Sequence, residues 1–83
     1  MKVLLFASAR EAAAGRGSVE VPLPGKGAML GEVLEELVRG HPPLRRVLAS
    51  CRFALNGAYL EDGGTRRLHN GDELAVLPPY SGG

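Results

Sequence analysis

Apolar side chains fill positions 3 to 7, Val3-Leu4-Leu5-Phe6-Ala7, before Ser8 interrupts them. This run predicts a central strand over residues 2–8, because a strand covered on both sides can be apolar on both faces. Alternation assigns Val3, Leu5 and Ala7 to one face and Leu4 and Phe6 to the other. Arg10-Glu11-Ala12-Ala13-Ala14 is a short stretch of good helix formers closed by Gly15, which predicts one helical turn. Residues 18–23, Ser18-Val19-Glu20-Val21-Pro22-Leu23, alternate and predict a second strand, antiparallel to the first. Pro22 and Pro24 lack the N–H that a ladder needs, so this strand lies at an edge or ends there.

Beyond the Gly25-Lys26-Gly27 loop, Leu30, Val33, Leu34, Leu37 and Val38 recur at helical spacing, with Glu32, Glu35, Glu36 and Arg39 opposite. This is the main helix; Gly40 ends it, and His41-Pro42-Pro43 blocks its continuation. Its start lacks a Ser, Thr, Asp or Asn cap. Leu44, Val47 and Leu48 predict a second short helix to about Ser50. Residues 52–56 predict a third strand, and Asn56-Gly57 is a strong hairpin signal returning through Ala58-Tyr59-Leu60. Asp62-Gly63-Gly64 and His69-Asn70-Gly71-Asp72 read as turns, with Leu68 an isolated apolar anchor between them. Glu73-Leu74-Ala75-Val76-Leu77 is the last strand.

The order is strand, strand, helix, strand, short strand, strand. It predicts an α+β fold in which one main helix covers one face of a small mixed sheet. The first and last strands are the most apolar, so both are central, and the crossover through the helix makes them parallel neighbours. That is the β-grasp arrangement of ubiquitin. One helix covers one face, so one apolar set stays exposed, and such patches mark partner sites. Phe6 and Leu77, with Arg10 at the rim, are therefore expected to form a docking patch; the competing expectation is that the short helix and loops cover them.

The 83 residues make one domain, with a core that needs no staples. A net charge of +1, short arginine pairs (Arg45-Arg46, Arg66-Arg67) and four aromatic residues argue against nucleic-acid binding. No segment approaches the roughly 20 apolar residues that span a bilayer. Met1-Lys2 and the apolar run after it mimic a signal peptide but are too short for one, and their removal would delete the central strand. Cys51 is the only cysteine, so no internal disulfide forms and the cytoplasm is the expected compartment. Cys51 reads as a small core residue rather than a sulfur-handling nucleophile. His41 and His69 read as helix-end and turn residues, and Asp72-Glu73 as a solvated turn and strand entry.

The remaining feature is the end of the chain, Pro78-Pro79-Tyr80-Ser81-Gly82-Gly83. Two prolines stop the last strand and hold the chain extended. Gly82 and Gly83 lack a β-carbon, so this end can follow a narrow channel. A thin carboxylate on a stiff stalk suits modification inside another protein's active site. Against this stands the ordinary glycine-rich terminus with no role.

Phe6-Ala7 with Arg10-Glu11, the helix from Leu30 to Val38, Leu55-Asn56-Gly57, Gly71-Asp72-Glu73-Leu74-Ala75 and the terminal Pro78 to Gly83 together resemble the small subunits of molybdopterin synthases, ubiquitin-like sulfur carriers. The resemblance spans essentially the whole chain. It implies a β-grasp domain over residues 1–77 and an extended tail over 78–83. It implies that a separate E1-like, ATP-using enzyme adenylates the Gly83 carboxylate, and that a sulfurtransferase's sulfur displaces AMP to leave a thiocarboxylate. Pro78, Pro79, Tyr80, Ser81 and Gly82 would thread into the large subunit, in an assembly of two small and two large chains. There sulfur passes to a pyranopterin precursor, and two transfers build the dithiolene of the molybdenum cofactor. The resemblance implies no catalytic side chain, no bound cofactor and no metal in this chain, and no nucleic-acid or membrane partner. In the family a Thr or Ser often opens the main helix, where this chain has Ala28-Met29, and a branched residue is commoner at Tyr80. Other products (thiazole, thiolated tRNA, cysteine), a ubiquitin-like modifier and a plain interaction module remain alternatives.

Overall fold

The computed structural model of the chain describes residues 1–61 and 64–79. Among them the order is β1 (Lys2–Leu5), α1 (Ala7–Ala12), β2 (Ser18–Glu20), β3 (Ala28–Met29), α2 (Leu30–Gly40), α3 (Leu44–Leu48), β4 (Arg52–Leu55), β5 (Ala58–Tyr59), β6 (Arg67–Leu68) and β7 (Glu73–Leu77). Five strands form one sheet in the order β2-β1-β7-β4-β5. The two most apolar strands are central and parallel, from Lys2 opposite Glu73 to Leu5 opposite Val76. β2 pairs antiparallel with β1, and β4 with β7. The fold is thus a ubiquitin-like β-grasp of the α+β class, as its order of elements predicts.

Val3, Leu5, Leu74 and Val76 are fully or almost fully buried, in one cluster with Ala9 and Ala13 of α1 and its C-cap, Val33 and Leu37 of α2, and Leu44 and Leu48 of α3. All three helices therefore cover the same sheet face, and α1 and α3 supplement the single helix expected there. No described residue buries a polar or charged side chain. α2 starts without an oxygen cap, but Glu32 compensates: its carboxylate accepts the Met29 N–H at 2.8 Å, the reciprocal half of a capping box. At the other end the His41 N–H reaches Leu37 O at 2.9 Å before the prolines begin.

Several boundaries differ from the sequence expectation: α3 ends at Leu48 rather than about Ser50, β4 at Leu55 rather than Asn56 and β5 at Tyr59 rather than Leu60, and three more lie near the start of the chain. The first strand stops at Leu5, not Ser8, and the helix expected from Arg10 begins at Ala7, where φ is +49°. An unbroken apolar run does not show where a ladder ends; here its partner decides, because Leu5 N–H bonds Gly17 O at 2.9 Å and β2 reaches no further. Ala7 accordingly belongs to α1 and not to the Val3–Leu5 face. β2 ends at Glu20, since Pro22 cannot extend the ladder.

One further element has no sequence signal. β3 and β6 form a two-stranded ladder, Ala28 opposite Leu68, that seats the fully buried Leu68 in the core. Gly27, at φ +83°, enters it so tightly that a β-carbon would lie 2.5 Å from Leu68 O. Asp62 and Gly63 of the expected 62–64 turn lie outside the described residues.

Candidate functional site

The sheet face opposite the helices is built by strand register. Directly paired residues share a face, so Leu4 of β1, Ala75 of β7, Ala54 of β4 and Tyr59 of β5 form one row across the sheet. The next row toward the tail contains Leu77 opposite Arg52, with Phe6 one step beyond the Leu5–Val76 pair. Phe6 keeps an extended backbone, φ −125° and ψ 154°, so it follows Leu4 to the outer side before α1 begins. None of Leu4, Phe6, Ala54, Tyr59, Ala75 or Leu77 belongs to the core cluster. Phe6 is 46% exposed and Tyr59 55%, the two large apolar side chains most open to solvent among the described residues. The opposite end of this face is charged: Lys2 stands in register with Glu20 on one side and Glu73 on the other.

The expected docking residues Phe6 and Leu77 thus stand side by side where the last strand runs out. Pro78 is half-buried and Pro79 exposed. Tyr80, Ser81, Gly82 and Gly83, the rest of the expected tail, lie outside the described residues. Arg10, expected at the rim, sits one helical turn after Phe6, and its Nε donates to Gly15 O at 3.0 Å, which ties the side chain to the loop that follows α1.

Tyr59 and Arg52 were not singled out from sequence. The Arg52 guanidinium carbon lies over the Tyr59 ring, 4.2 Å from its centroid. A signal for Tyr59 was present: counting back across the Asn56-Gly57 turn pairs it with Ala54 and places it on the outer face.

Groups with chemical potential elsewhere have structural roles. Cys51 packs against the core, its thiol meets Val47 O at 3.2 Å, and burial raises its pKa, which works against the thiolate. Asp72 accepts Asn56 Nδ2–H at 3.0 Å and the His69 N–H at 2.8 Å, which hold its carboxyl below the ordinary value. It fastens the entry of β7, where Asn56 Oδ1 accepts the Glu73 N–H at 2.9 Å. His41 caps α2 and His69 belongs to the turn before β7. Among the described residues no group of three or more His, Cys, Asp or Glu gathers to hold a metal, and no helix is long and apolar enough to cross a membrane.

Parallel central strands, helices on one face and an open apolar face running to the last strand's end define a ubiquitin-like β-grasp protein. The chain belongs to the ThiS family, whose profile matches residues 3–83. It is 41% identical over 83 residues to the molybdopterin synthase sulfur carrier subunit of Chlamydomonas reinhardtii, covering 100% of this chain and 98% of that one. The crystal structure of SAMP1, small archaeal modifier protein 1, from Haloferax volcanii is similar at a TM-score of 0.84 and 35% identity, covering 100% of this chain and 98% of that one. A Pyrococcus furiosus protein assigned as molybdopterin converting factor subunit 1 is similar at a TM-score of 0.80 and 30% identity, covering 95% of each chain.

Proposed function

We propose that this chain is the sulfur carrier subunit of a molybdopterin synthase. The observation that carries the reading is the extent of the family match, residues 3–83, which runs through Gly82-Gly83 itself. The full-length relative in Chlamydomonas reinhardtii and the apolar face beside the tail's root support it.

In this reading the Gly83 carboxylate is the reacting group. A carboxylate is a poor electrophile; its oxygen attacks the α-phosphorus of ATP on an E1-like activating enzyme, pyrophosphate leaves, and the acyl-adenylate gains AMP as a good leaving group. The terminal sulfur of a sulfurtransferase's cysteine persulfide attacks the carbonyl and expels AMP; a second thiol then attacks the cysteine sulfur of the resulting acyl disulfide, forms a disulfide with it, and releases a thiocarboxylate, a soft nucleophile like other thiolates. Pro78, Pro79, Tyr80, Ser81 and Gly82 carry that end into the large subunit, where sulfur passes to the pyranopterin precursor. Phe6 and Leu77, with Arg10 beside them, dock the domain. The chain contributes no catalytic side chain, holds no cofactor or metal, and leaves ATP to the activating enzyme. It works in the cytoplasm, in an assembly of two small and two large chains.

The likeness to SAMP1 favours one second reading, a protein modifier that uses the same activated carboxylate to acylate a lysine. Intact mass of the protein from cells with working sulfur chemistry tests the first. A fraction with one oxygen replaced by sulfur in the C-terminal peptide is expected, and extending the chain past Gly83 abolishes it. Absence of that species, with ATP-dependent conjugates of higher mass in lysate, would select the modifier.

A further inference from the structure

Arg52 stands in register with Leu77, in the same outer-face row as Phe6. A partner that covers Phe6 and Leu77 therefore also covers or abuts the guanidinium. Among the described residues the Arg52 guanidinium makes no hydrogen bond or ion pair, and it rests over the Tyr59 ring at 4.2 Å. Two acidic residues of the outer ladder, Glu20 and Glu73, lie beside Lys2 at the other end. Glu61 is exposed and falls opposite Arg52 if the β4–β5 register is continued, yet it makes no ion pair with it. Glu73 is four residues from Leu77, about 13 Å along the strand.

In solvent an unpaired arginine costs nothing. Under an apolar partner the same charge loses its hydration, which is expensive unless a counter-charge replaces the water. Stacking on Tyr59 restrains the planar guanidinium in advance, so less side-chain freedom is lost when a second group binds it. A guanidinium with unused donors, set among apolar side chains, fits a carboxylate accepting two parallel N–H bonds.

We infer that Arg52, held on Tyr59 beside the root of the tail, binds an Asp or Glu carboxylate on the companion large subunit of the synthase. The inference rests on the sulfur-carrier reading and deepens it. The companion subunit, rather than the activating enzyme, is assigned because a mostly apolar patch with one arginine suits a lasting interface between subunits.

The test is calorimetric titration of the full-length chain with the large subunit, using wild type, Arg52→Gln, Arg52→Lys and Arg52→Glu. Arg52→Gln is expected to weaken binding about tenfold or more and to flatten its salt dependence. Arg52→Glu weakens it further, and Arg52→Lys restores only part, lacking the planar fork. Thermal unfolding of all variants stays close to wild type, because the side chain is exposed. Charge reversal of one acidic residue on the large subunit should recover binding of Arg52→Glu. Equal affinity of wild type and Arg52→Glu would overturn the inference while leaving the sulfur-carrier reading intact. So would a defect confined to the activating enzyme. Failure of the wild-type chain to bind the large subunit would overturn both.

Discussion

Asn56 and Asp72 are joined side chain to side chain, Asn56 Nδ2 donating to Asp72 Oδ1 at 3.0 Å, across the turns that precede β5 and β7. Asn56 sits at φ +50°, a left-handed position that Asn adopts more readily than most residues. The pair fixes the hairpin turn to the strand that leads into the tail.

This contact predicts a pH dependence. The Asn56 side chain, then the His69 N–H, lowers the Asp72 pKa from 3.8. A depressed folded-state value means that the stabilisation is fully present above the ordinary carboxylate pKa. It is lost as pH falls through the lower, folded value. Asp72→Ala should therefore be less stable at neutral pH and show a shallower loss below about pH 4 in acid denaturation curves.

Gly27 is irreplaceable on steric grounds. A β-carbon there would meet Leu68 O at 2.5 Å and the His69 ring at 2.8 Å, at a φ of +83°. Gly27→Ala should lose about 2 kcal/mol or more, read as a melting temperature lowered by about 10 °C.

Leu68, flanked in sequence by Arg67 and His69, is a core residue with 0% exposure. Leu68→Ala should cost about 3 kcal/mol in denaturant unfolding, far more than an exposed leucine would.

Phe6 is 46% exposed and lies outside the core cluster, so charge there leaves the fold intact. Phe6→Asp should melt close to wild type yet bind the large subunit at least about 30-fold more weakly by calorimetry. Normal binding by a folded Phe6→Asp would remove this face from the docking surface.

Cys51 donates to Val47 O and burial raises its pKa. Cys51→Ser should carry a full sulfur load at Gly83 by intact mass, since the proposed reaction uses the terminal carboxylate and no thiol of this chain.

Particular residues show where sequence was sufficient. Glu73 to Leu77 alternates within a run bounded by Gly71-Asp72 and Pro78, so its limits are legible and match β7 residue for residue. Leu30 to Gly40 is legible for the same reason, a helical period closed by glycine. Phe6 was legible as outward-facing from alternation alone, though the strand carrying it ended sooner. β3 and β6 were not legible: each is two residues long, and their hydrogen bonds link positions 28 and 68, far apart in the chain.

By itself, then, the sequence determined the longer elements, the parallel pairing of the two most apolar strands, the apolar row at Phe6 and Leu77 and the family, because periodicity, turn chemistry and the terminal motif are local. Only the tertiary structure decided where β1 yields to α1, which glycine is locked, and that Arg52 lies on Tyr59 beside Leu77. Those depend on strand register, and register is set by which distant residues pair across the sheet.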